Sequence, residues 1–375
     1  MPWIRSPDAL SAFVRSLGGC RAVGLDTESD SLYHHFDKVC LLQLASDRGQ
    51  VALVDALAFR DLSALAPVIA DGAIAKVLHG ADYDVATLKR DFGFAFAGIF
   101  DTMIAARFLG LSAVGLAAIA QSELGVTLSK DRQKDDWSRR PLSPEQVAYA
   151  LADVRHLVEL GDRLEARLAS LGRREWVREE CEAVAALPPF ERRRDPEAYL
   201  AIKGARRLAP RRLAALRELF AWRERRAEAT DTPAFRILGN EALLLLAERG
   251  PRTVTELAGV PRVPSRLRRH ADDLLAALRR AQDLPEAELP VVPRRPAAPV
   301  LSPPVRLRAE RLRAWRTRAA EALRLDPSVV LPQRLIERLA AAAPCDEAGL
   351  ATVEGLRRWR VAAFGSEILA ALEGR

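Results

Sequence analysis

The chain has 375 residues and a net charge of +7, and its hydrophobic (49%) and charged (29%) fractions are those of a globular protein. At that length we expect two or three domains rather than one hydrophobic core. No apolar run reaches the roughly 18–20 residues that span a bilayer, and the N-terminus lacks the apolar segment of a signal peptide, so we expect neither a membrane protein nor a secreted one.

The first half alternates strands and helices. Short apolar runs predict strands at 22–26, 39–45, 51–55 and 76–79. Helical spacing of apolar residues predicts helices at 61–70, from 82 onward, and at 101–110, 114–124 and 144–169. Ser143 and Pro144 are suitable N-cap and first residues for the last helix. This mixture predicts one α/β domain over residues 1–187, with helices flanking a mixed sheet.

The second half has almost no β-rich run and is predicted to be helical. Leu219–Arg223 matches Leu312–Arg316, and Asp273–Leu278 matches Glu367–Leu372, at offsets of 93 and 94 residues. Such self-similarity predicts two copies of one helical module. We place them at 195–283 and 305–375, joined by a proline-rich linker at 284–304. The alternative is two unrelated helical bundles.

Charge is divided unevenly between the two halves. Residues 1–187 contain 21 Lys and Arg against 26 Asp and Glu, whereas residues 188–375 contain 36 against 24. A basic half predicts contact with a polyanion, although an arginine-rich composition alone would give the same balance. The four cysteines show no Cys-x-x-Cys spacing, so we expect no zinc site or disulfide framework, and a reduced cytoplasm fits.

Four acids and a tyrosine have the spacing of a split cation site. Asp26 and Glu28 end an apolar strand at positions i and i+2, so both side chains point to one face of the sheet. Tyr149 and Asp153 are i and i+4 in a helix and also share a face. Asp84 lies in the first turn of another predicted helix. Carboxylates are the ligands that Mg²⁺ prefers, although each residue by itself would also suit a solvated position.

The order and spacing of these residues resemble the DEDD exonuclease superfamily, in its tyrosine-containing branch, and most closely its ribonuclease D family. The resemblance rests on Gly24-Leu-Asp-Thr-Glu28, His79-Gly-Ala-Asp-Tyr-Asp84 and Tyr149-Ala-Leu-Ala-Asp153. The repeated module resembles the HRDC domain (helicase and RNase D C-terminal). The resemblance implies a ribonuclease H-like α/β exonuclease domain followed by two all-α HRDC-like bundles.

The resemblance also implies a mechanism and a substrate. Asp26, Glu28, Asp84 and Asp153 would bind two divalent cations, Mg²⁺ or Mn²⁺, and Tyr149 would orient or activate the attacking water. The reaction would remove nucleoside 5′-monophosphates from accessible RNA 3′ ends, with tRNA precursors as the implied substrate. We expect a cytoplasmic monomer.

Other side chains are candidates for contacting RNA phosphates or sugars. They are Gln43, Lys130, Arg140, Arg206, Arg207, Arg211 and Arg212. Each arginine could equally belong to a solvated helix face. His79 is expected to have a packing role rather than to bind a cation. Two other functions use the same features: a DNA 3′→5′ exonuclease, and a non-catalytic nucleic-acid-binding scaffold.

Overall fold

The computed structural model of the protein describes residues 3–192, 194–293 and 302–375. Two compact units divide them. The first comprises the described residues of 1–29, 39–190 and 300–375, and the second those of 30–38 and 191–299. Residues 294–301 of the predicted linker lie outside the described part of the chain. Within the described part, no helix combines the length and apolar character needed to cross a bilayer.

A six-stranded mixed sheet organises the first unit, as predicted. Its strands are β1 (Trp3–Ile4), β2 (Ala22–Ser29), β3 (Val39–Ser46), β4 (Val51–Asp55), β5 (Ala75–Leu78) and β6 (Ile99–Asp101). Their order is β1-β4-β3-β2-β5-β6. The pairs β2–β3 and β3–β4 are antiparallel and the others are parallel. The sequence does not predict β1 or β6, because two or three residues are too few to show a period.

The sheet is buried on both faces, and its register decides which face receives the acids. Every residue of β3 is buried, as expected for an inner strand covered on both sides. Asp26 of β2 lies opposite Gln43 of β3, and Glu28 lies opposite Leu41. Residues directly opposite one another share a face. Leu41 packs with apolar residues of the helix that follows Ser143, so the two acids face that helix.

Eight α-helices accompany the sheet in the described residues up to 192. They are α1 (Pro7–Ser16), α2 (Ala66–Ala70), α3 (Asp82–Phe92), α4 (Thr102–Phe108), α5 (Leu116–Leu124), α6 (Pro144–Arg155), α7 (Leu157–Ser170) and α8 (Arg174–Ala185). The single helix predicted at 144–169 is therefore wrong. His156, at φ −104° and ψ 0°, separates α6 from α7.

Gly24 of β2 lies against this interruption. A Cβ atom at Gly24 would be 3.0 Å from the Cβ of Leu157 and 3.1 Å from the carbonyl oxygen of Val154. Both distances are shorter than ordinary van der Waals contact. The absence of a side chain at position 24 therefore allows α6 and α7 to approach the sheet closely.

The remaining described helices form two sets of five. The first set is α9 (Pro210–Ala229), α10 (Ala234–Ile237), α11 (Asn240–Arg249), α12 (Val254–Ala258) and α13 (Ala271–Asp283). The second set is α14 (Pro303–Leu323), α15 (Pro327–Val330), α16 (Gln333–Ala342), α17 (Glu347–Ala351) and α18 (Arg358–Glu373). This correspondence confirms the predicted repeat.

The repeat extends to individual hydrogen bonds. Arg223 donates to the carbonyl oxygen of Leu238 at 3.1 Å, and Arg316 donates to that of Leu331, also at 3.1 Å. Each bond ties the first helix of its module to the segment before the third helix. The repeated arginine therefore has a structural role in both copies.

The second module packs with α8 inside the first unit. The rings of Trp176 and Trp359 stack with centroids 4.8 Å apart. Arg360 is 5% exposed, and it donates to Glu180 at 2.7 Å and to the carbonyl oxygens of Val329 and Val330 at 3.0 Å. A buried ion pair with further hydrogen bonds to backbone carbonyls requires a specific geometry, so this contact fixes how α18 meets α8.

In the second unit, residues 30–38 pack with the first module. His34 Nδ1 lies 2.7 Å from a carboxylate oxygen of Asp231. The guanidinium carbon of Arg236 lies 4.0 Å from the centroid of the Tyr33 ring, which is cation–π geometry. These residues connect β2 to β3 in the chain.

Candidate active site

Three carboxylates meet where β2 ends beneath α6. Asp26 and Glu28 come from the strand and Asp153 from the helix. One carboxylate oxygen from each lies within 4.8 Å of the other two. That separation allows one cation to contact all three side chains. The shared faces that the sequence predicts for Asp26 and Glu28, and for Tyr149 and Asp153, therefore converge on one point.

The N-terminus of α6 sets the register of its two functional residues. Ser143 caps the helix by accepting from the backbone of Gln146, and the Gln146 side chain accepts from the backbone of Ser143. This capping box fixes where the helix begins and hence which residues face β2. The Tyr149 hydroxyl hydrogen-bonds to the Asp153 carboxylate one turn later.

Asp84 lies beside the three carboxylates but outside their group. It is in the first turn of α3 and accepts a hydrogen bond from the hydroxyl of Thr27, which lies between the two acids of β2. The loop before α3 is held by the buried Asp101, which accepts from the backbone nitrogens of Gly80 at 3.1 Å and Ala81 at 2.8 Å. Thr27 and Asp101 therefore position the fourth acid.

Burial makes the ionised form of every acid in the cluster unfavourable. Burial, together with the charges of Asp84 and Asp153, raises the pKa of Asp26. Burial, then Asp26, raises the pKa of Glu28 to about 10. Burial raises the pKa of Asp84 to about 7 and that of Asp153 to about 6, although the bonds from Thr27 and Tyr149 oppose these two shifts.

The donor set fits divalent cations that prefer oxygen. In the described ranges no lysine or arginine forms an ion pair with any of the four acids. Their buried negative charge therefore lacks a compensating side chain. All four ligands offer carboxylate oxygen and none offers sulfur, which suits Mg²⁺ or Mn²⁺ better than a structural zinc ion.

The carboxylates border a cavity of about 380 Å³. Asp26, Glu28, Tyr149 and Asp153 line it on one side. The other lining residues include His79, Gly80, Met103, Leu128, Ser129, Lys130 and Gln133. The cavity therefore combines the acids with one lysine and one histidine, and it has room for the terminal part of a nucleic acid strand.

The RNA-contact candidates of the catalytic half have different positions. Lys130 is exposed and lines the cavity, so it can contact a phosphate there. Gln43 lies directly opposite Asp26 in the sheet and shares its face. Its side chain is 0% exposed, and its amide has no hydrogen-bond partner among the described residues. Gln43 is therefore closed to a ligand in this structure, and its contact with RNA stays a prediction.

All the donors of Arg140 are used within the protein in this structure, so its role as a phosphate ligand stays a prediction. It donates to both carboxylate oxygens of Asp55, at 3.0 and 2.7 Å. Its other donors bond to the carbonyl oxygens of Cys40, Trp137 and Arg139 at 2.7–2.9 Å. Arg140 therefore ties the segment before α6 to β3 and β4.

The four arginines of the first module divide into two pairs. Arg206 and Arg207 are exposed and line a cleft of about 1350 Å³. Arg211 donates to carbonyl oxygens at the end of α13, including that of Gln282 at 3.0 Å, and Arg212 donates to that of Ala247 at 3.5 Å. Arg206 and Arg207 thus keep donors available to a ligand, whereas Arg211 and Arg212 support helix ends.

Sequence reasoning missed two contributors to the site. Thr27, between the two acids of β2, donates a hydrogen bond to Asp84. His79, for which a packing role is expected, does hydrogen-bond within the protein but also lines the cavity. The signal available for both was their position inside the two acidic motifs.

Comparison with known proteins gives two family matches. Residues 1–169 match the model of a 3′-5′ exonuclease, and residues 212–278 and 307–372 each match that of the HRDC domain. Among curated relatives, "Ribonuclease D" of Pseudomonas paraeruginosa is 33% identical over 99% of this chain and 97% of its own length. "Ribonuclease D" of Acidiphilium cryptum is also 33% identical, over 99% of this chain and 93% of its own length.

Solved structures also resemble this one. The crystal structure of Escherichia coli RNase D, described as an exoribonuclease involved in structured RNA processing, is 27% identical. It covers 100% of this chain and 99% of its own, with a TM-score of 0.69. The catalytic core of RRP6 from Trypanosoma brucei is 28% identical, over 75% of this chain and 79% of its own, with a TM-score of 0.68.

Proposed function

The chain belongs to the ribonuclease D family, and on that premise we propose that its acidic cavity hydrolyses RNA with two divalent cations. The protein is a 3′→5′ exoribonuclease. The observation that supports the metal-dependent mechanism is the meeting of Asp26, Glu28 and Asp153 within 4.8 Å, with Asp84 beside them.

Each carboxylate has a role in this proposal. Asp26, Glu28 and Asp153 would hold one cation, and Asp26 and Asp84 would hold a second. Such cations, when bound, lower the pKa of the attacking water and stabilise the leaving 3′ oxygen. The raised pKa values of the four acids in the absence of a cation support this assignment, because a bound cation favours their ionised forms.

Tyr149 orients the attacking water rather than deprotonating it. Burial, followed by the nearby charge of Asp153, raises the pKa of the tyrosine further above its ordinary value of about 10. The hydroxyl therefore stays protonated at neutral pH and donates to Asp153, while its oxygen remains able to accept a hydrogen bond from water.

RNA with an accessible 3′ tail is the proposed substrate, with tRNA precursors as the physiological class. A cavity of about 380 Å³ accommodates a strand end rather than a duplex, and Lys130 on its wall supplies a positive charge for phosphate. The exposed Arg206 and Arg207 offer a second basic contact for the polymer. We propose that the protein acts as a monomer in the cytoplasm.

The test is degradation of a structured RNA with a single-stranded 3′ tail, labelled at its 5′ end. We expect stepwise shortening and nucleoside 5′-monophosphate products in Mg²⁺ or Mn²⁺, and no shortening in EDTA. Asp26→Asn or Asp153→Asn should lower kcat by at least about 10³-fold, because each removes a charged ligand of the reacting centre.

Asp82→Asn is the matched control, since Asp82 is an exposed acid in the same first turn of α3 as Asp84. It should retain wild-type activity. Wild-type rates in both Asp26→Asn and Asp153→Asn would rule out the proposed site. A parallel DNA oligonucleotide of the same sequence separates RNA specificity from general 3′→5′ exonuclease chemistry.

A further inference from the structure

His79 is one of the residues that line the catalytic cavity, and one of its ring nitrogens has no hydrogen-bond partner among the described residues. Nδ1 of His79 lies 2.9 Å from the hydroxyl oxygen of Thr102. That hydroxyl in turn lies 3.0 Å from the carbonyl oxygen of Leu78. Nε2 of His79 has no hydrogen-bond partner among the described residues, and the side chain lines the cavity together with Asp26 and Tyr149.

This chain of contacts determines the tautomer of the imidazole. The Leu78 carbonyl can only accept, so the single hydroxyl proton of Thr102 must point toward it. The Thr102 oxygen can then only accept from His79, which places the ring proton on Nδ1. In the neutral imidazole Nε2 therefore has a lone pair and no proton. Burial lowers the pKa of His79, which favours this neutral form.

A lone hydrogen-bond acceptor selects a specific part of an RNA strand. Non-bridging phosphate oxygens only accept, so they cannot bond to it. Ribose hydroxyls do donate, and the 2′-hydroxyl is the group that distinguishes RNA from DNA. A site that accepts a hydrogen bond from a hydroxyl disfavours analogues that lack it, because its own polar atom is then left unpaired.

We propose that His79 is a specificity-determining residue whose Nε2 accepts a hydrogen bond from a ribose hydroxyl of RNA bound in the catalytic cavity. Thr102 is the positioning residue that holds the proton on Nδ1. The proposal rests on the proposed function, because it requires RNA to occupy this cavity. It adds a recognition role for the sugar to the cation-binding role proposed for the four acids.

The kinetic test combines one protein change with single-atom changes in RNA. Substrates carry 2′-fluoro at the last or the penultimate nucleotide, or 3′-deoxy at the last, since fluorine and hydrogen cannot donate. In the wild type, one of these changes should lower kcat/KM about 3- to 10-fold, the usual value of one hydrogen bond. His79→Phe should lower kcat/KM on unmodified RNA by the same factor and make that modification harmless.

The three modifications distinguish the candidate hydroxyls. The modification that loses its penalty in His79→Phe identifies the terminal 2′-, the terminal 3′- or the penultimate 2′-hydroxyl as the donor. For every modification, the fold-loss in kcat/KM could instead be the same in His79→Phe as in the wild type. In that case His79 does not contact a ribose hydroxyl and the proposal is overturned.

Two substitutions of Thr102 form a matched pair. The measured quantity is the preference for the unmodified sugar, which a residue with only a packing role would not change. Thr102→Ser retains the hydroxyl and should keep the wild-type preference for the unmodified sugar. Thr102→Val removes the acceptor for Nδ1–H, so the ring proton can move to Nε2, and it should reduce that preference. Equal preferences in the two variants would remove Thr102 from the proposal.

Nitrogen-15 NMR of the wild-type protein tests the tautomer without any activity measurement. The chain has five histidines, and the spectrum of the Phe variant identifies the His79 signals. We expect a protonated Nδ1 and an unprotonated Nε2 at neutral pH. The opposite tautomer would overturn the proposal even if the enzyme degrades RNA. Failure of the wild type to degrade any RNA would instead contradict the proposed function.

Discussion

At the scale of single residues, the main feature of the cavity is a group of acids that have no lysine or arginine of the described residues paired with them. Asp26, Glu28, Asp84 and Asp153 come from three elements, and burial raises the pKa of each. The folded protein without cations therefore holds protons that the unfolded chain would release. The same repulsion that weakens the metal-free fold gives bound cations their stabilising effect.

This charge predicts how the stability of the metal-free protein depends on pH. Because the folded pKa values of Asp84 and Asp153 are about 7 and about 6, above the unfolded value of 3.8, the folded state binds more protons between those limits. The free energy of unfolding should therefore rise as pH falls from 8 to 5. Thermal melts in EDTA should show this rise, and saturating Mg²⁺ should abolish it.

The substitution Asp84→Asn tests the same repulsion among the acids by mutation. Removing one charge relieves repulsion, and each ~1 kcal/mol relieved raises Tm by about 2–4 °C in EDTA. The amide oxygen still accepts from Thr27. Asp82→Asn, at an exposed position of the same helix turn, should not raise Tm. A lower Tm for Asp84→Asn in EDTA would contradict the account of the cluster.

At the scale of elements, the distance between β2 and the α6–α7 interruption decides whether the acids meet. Asp26 and Glu28 are fixed by the strand, but Asp153 reaches them only if α6 lies close to it. Gly24, two residues before Asp26 on the same face, permits that approach. The helix interruption at His156 lies at the same place, two residues after Val154.

The substitution Gly24→Ala should increase the distance between β2 and α6. Its Cβ would be 3.0–3.1 Å from Leu157 and Val154, so α6 must move by a few tenths of an ångström. We expect a stability loss of about 1–3 kcal/mol, together with a lower kcat and a higher Mg²⁺ concentration for half-maximal activity.

Gly72→Ala is the control for that variant, because a Cβ there would have its nearest neighbour at 3.9 Å. It should change neither kcat nor the Mg²⁺ requirement. Unchanged metal dependence in Gly24→Ala would show that close packing of β2 against α6 is not needed for the cation site.

At the scale of the whole molecule, the repeated modules have different relations to the rest of the chain. The second module belongs to the same compact unit as the sheet, where Glu180 of α8 accepts from Arg360 at 2.7 Å and from the indole of Trp359 at 3.0 Å. The first module forms the other unit with residues 30–38. The division of the chain into domains at 187, 284 and 304 stays a prediction.

Glu180→Ala should destabilise the first unit strongly. It leaves the buried Arg360 without its counter-ion, a loss of roughly 3–5 kcal/mol in the free energy of unfolding by urea. Glu182→Ala, on the same helix but with an exposed side chain, should cost less than about 1 kcal/mol. Equal losses in the two variants would mean that the buried pair does not hold α18 on α8.

Properties that depend on spacing along one strand or helix are predictable from the sequence. The i,i+2 and i,i+4 patterns predict the shared faces of Asp26 with Glu28 and of Tyr149 with Asp153, and the offset of 93–94 residues predicts the repeated module. These predictions are confirmed because backbone periodicity alone fixes the direction of a side chain relative to its own strand or helix.

Which side chains a ligand can reach depends instead on the tertiary structure. Gln43, Lys130 and Arg140 are equally suitable in sequence, yet only Lys130 keeps a polar group in the cavity. His79 changes from a packing residue to a cavity residue for the same reason. Burial and hydrogen-bond partners depend on elements that are distant in sequence, so local spacing does not encode them.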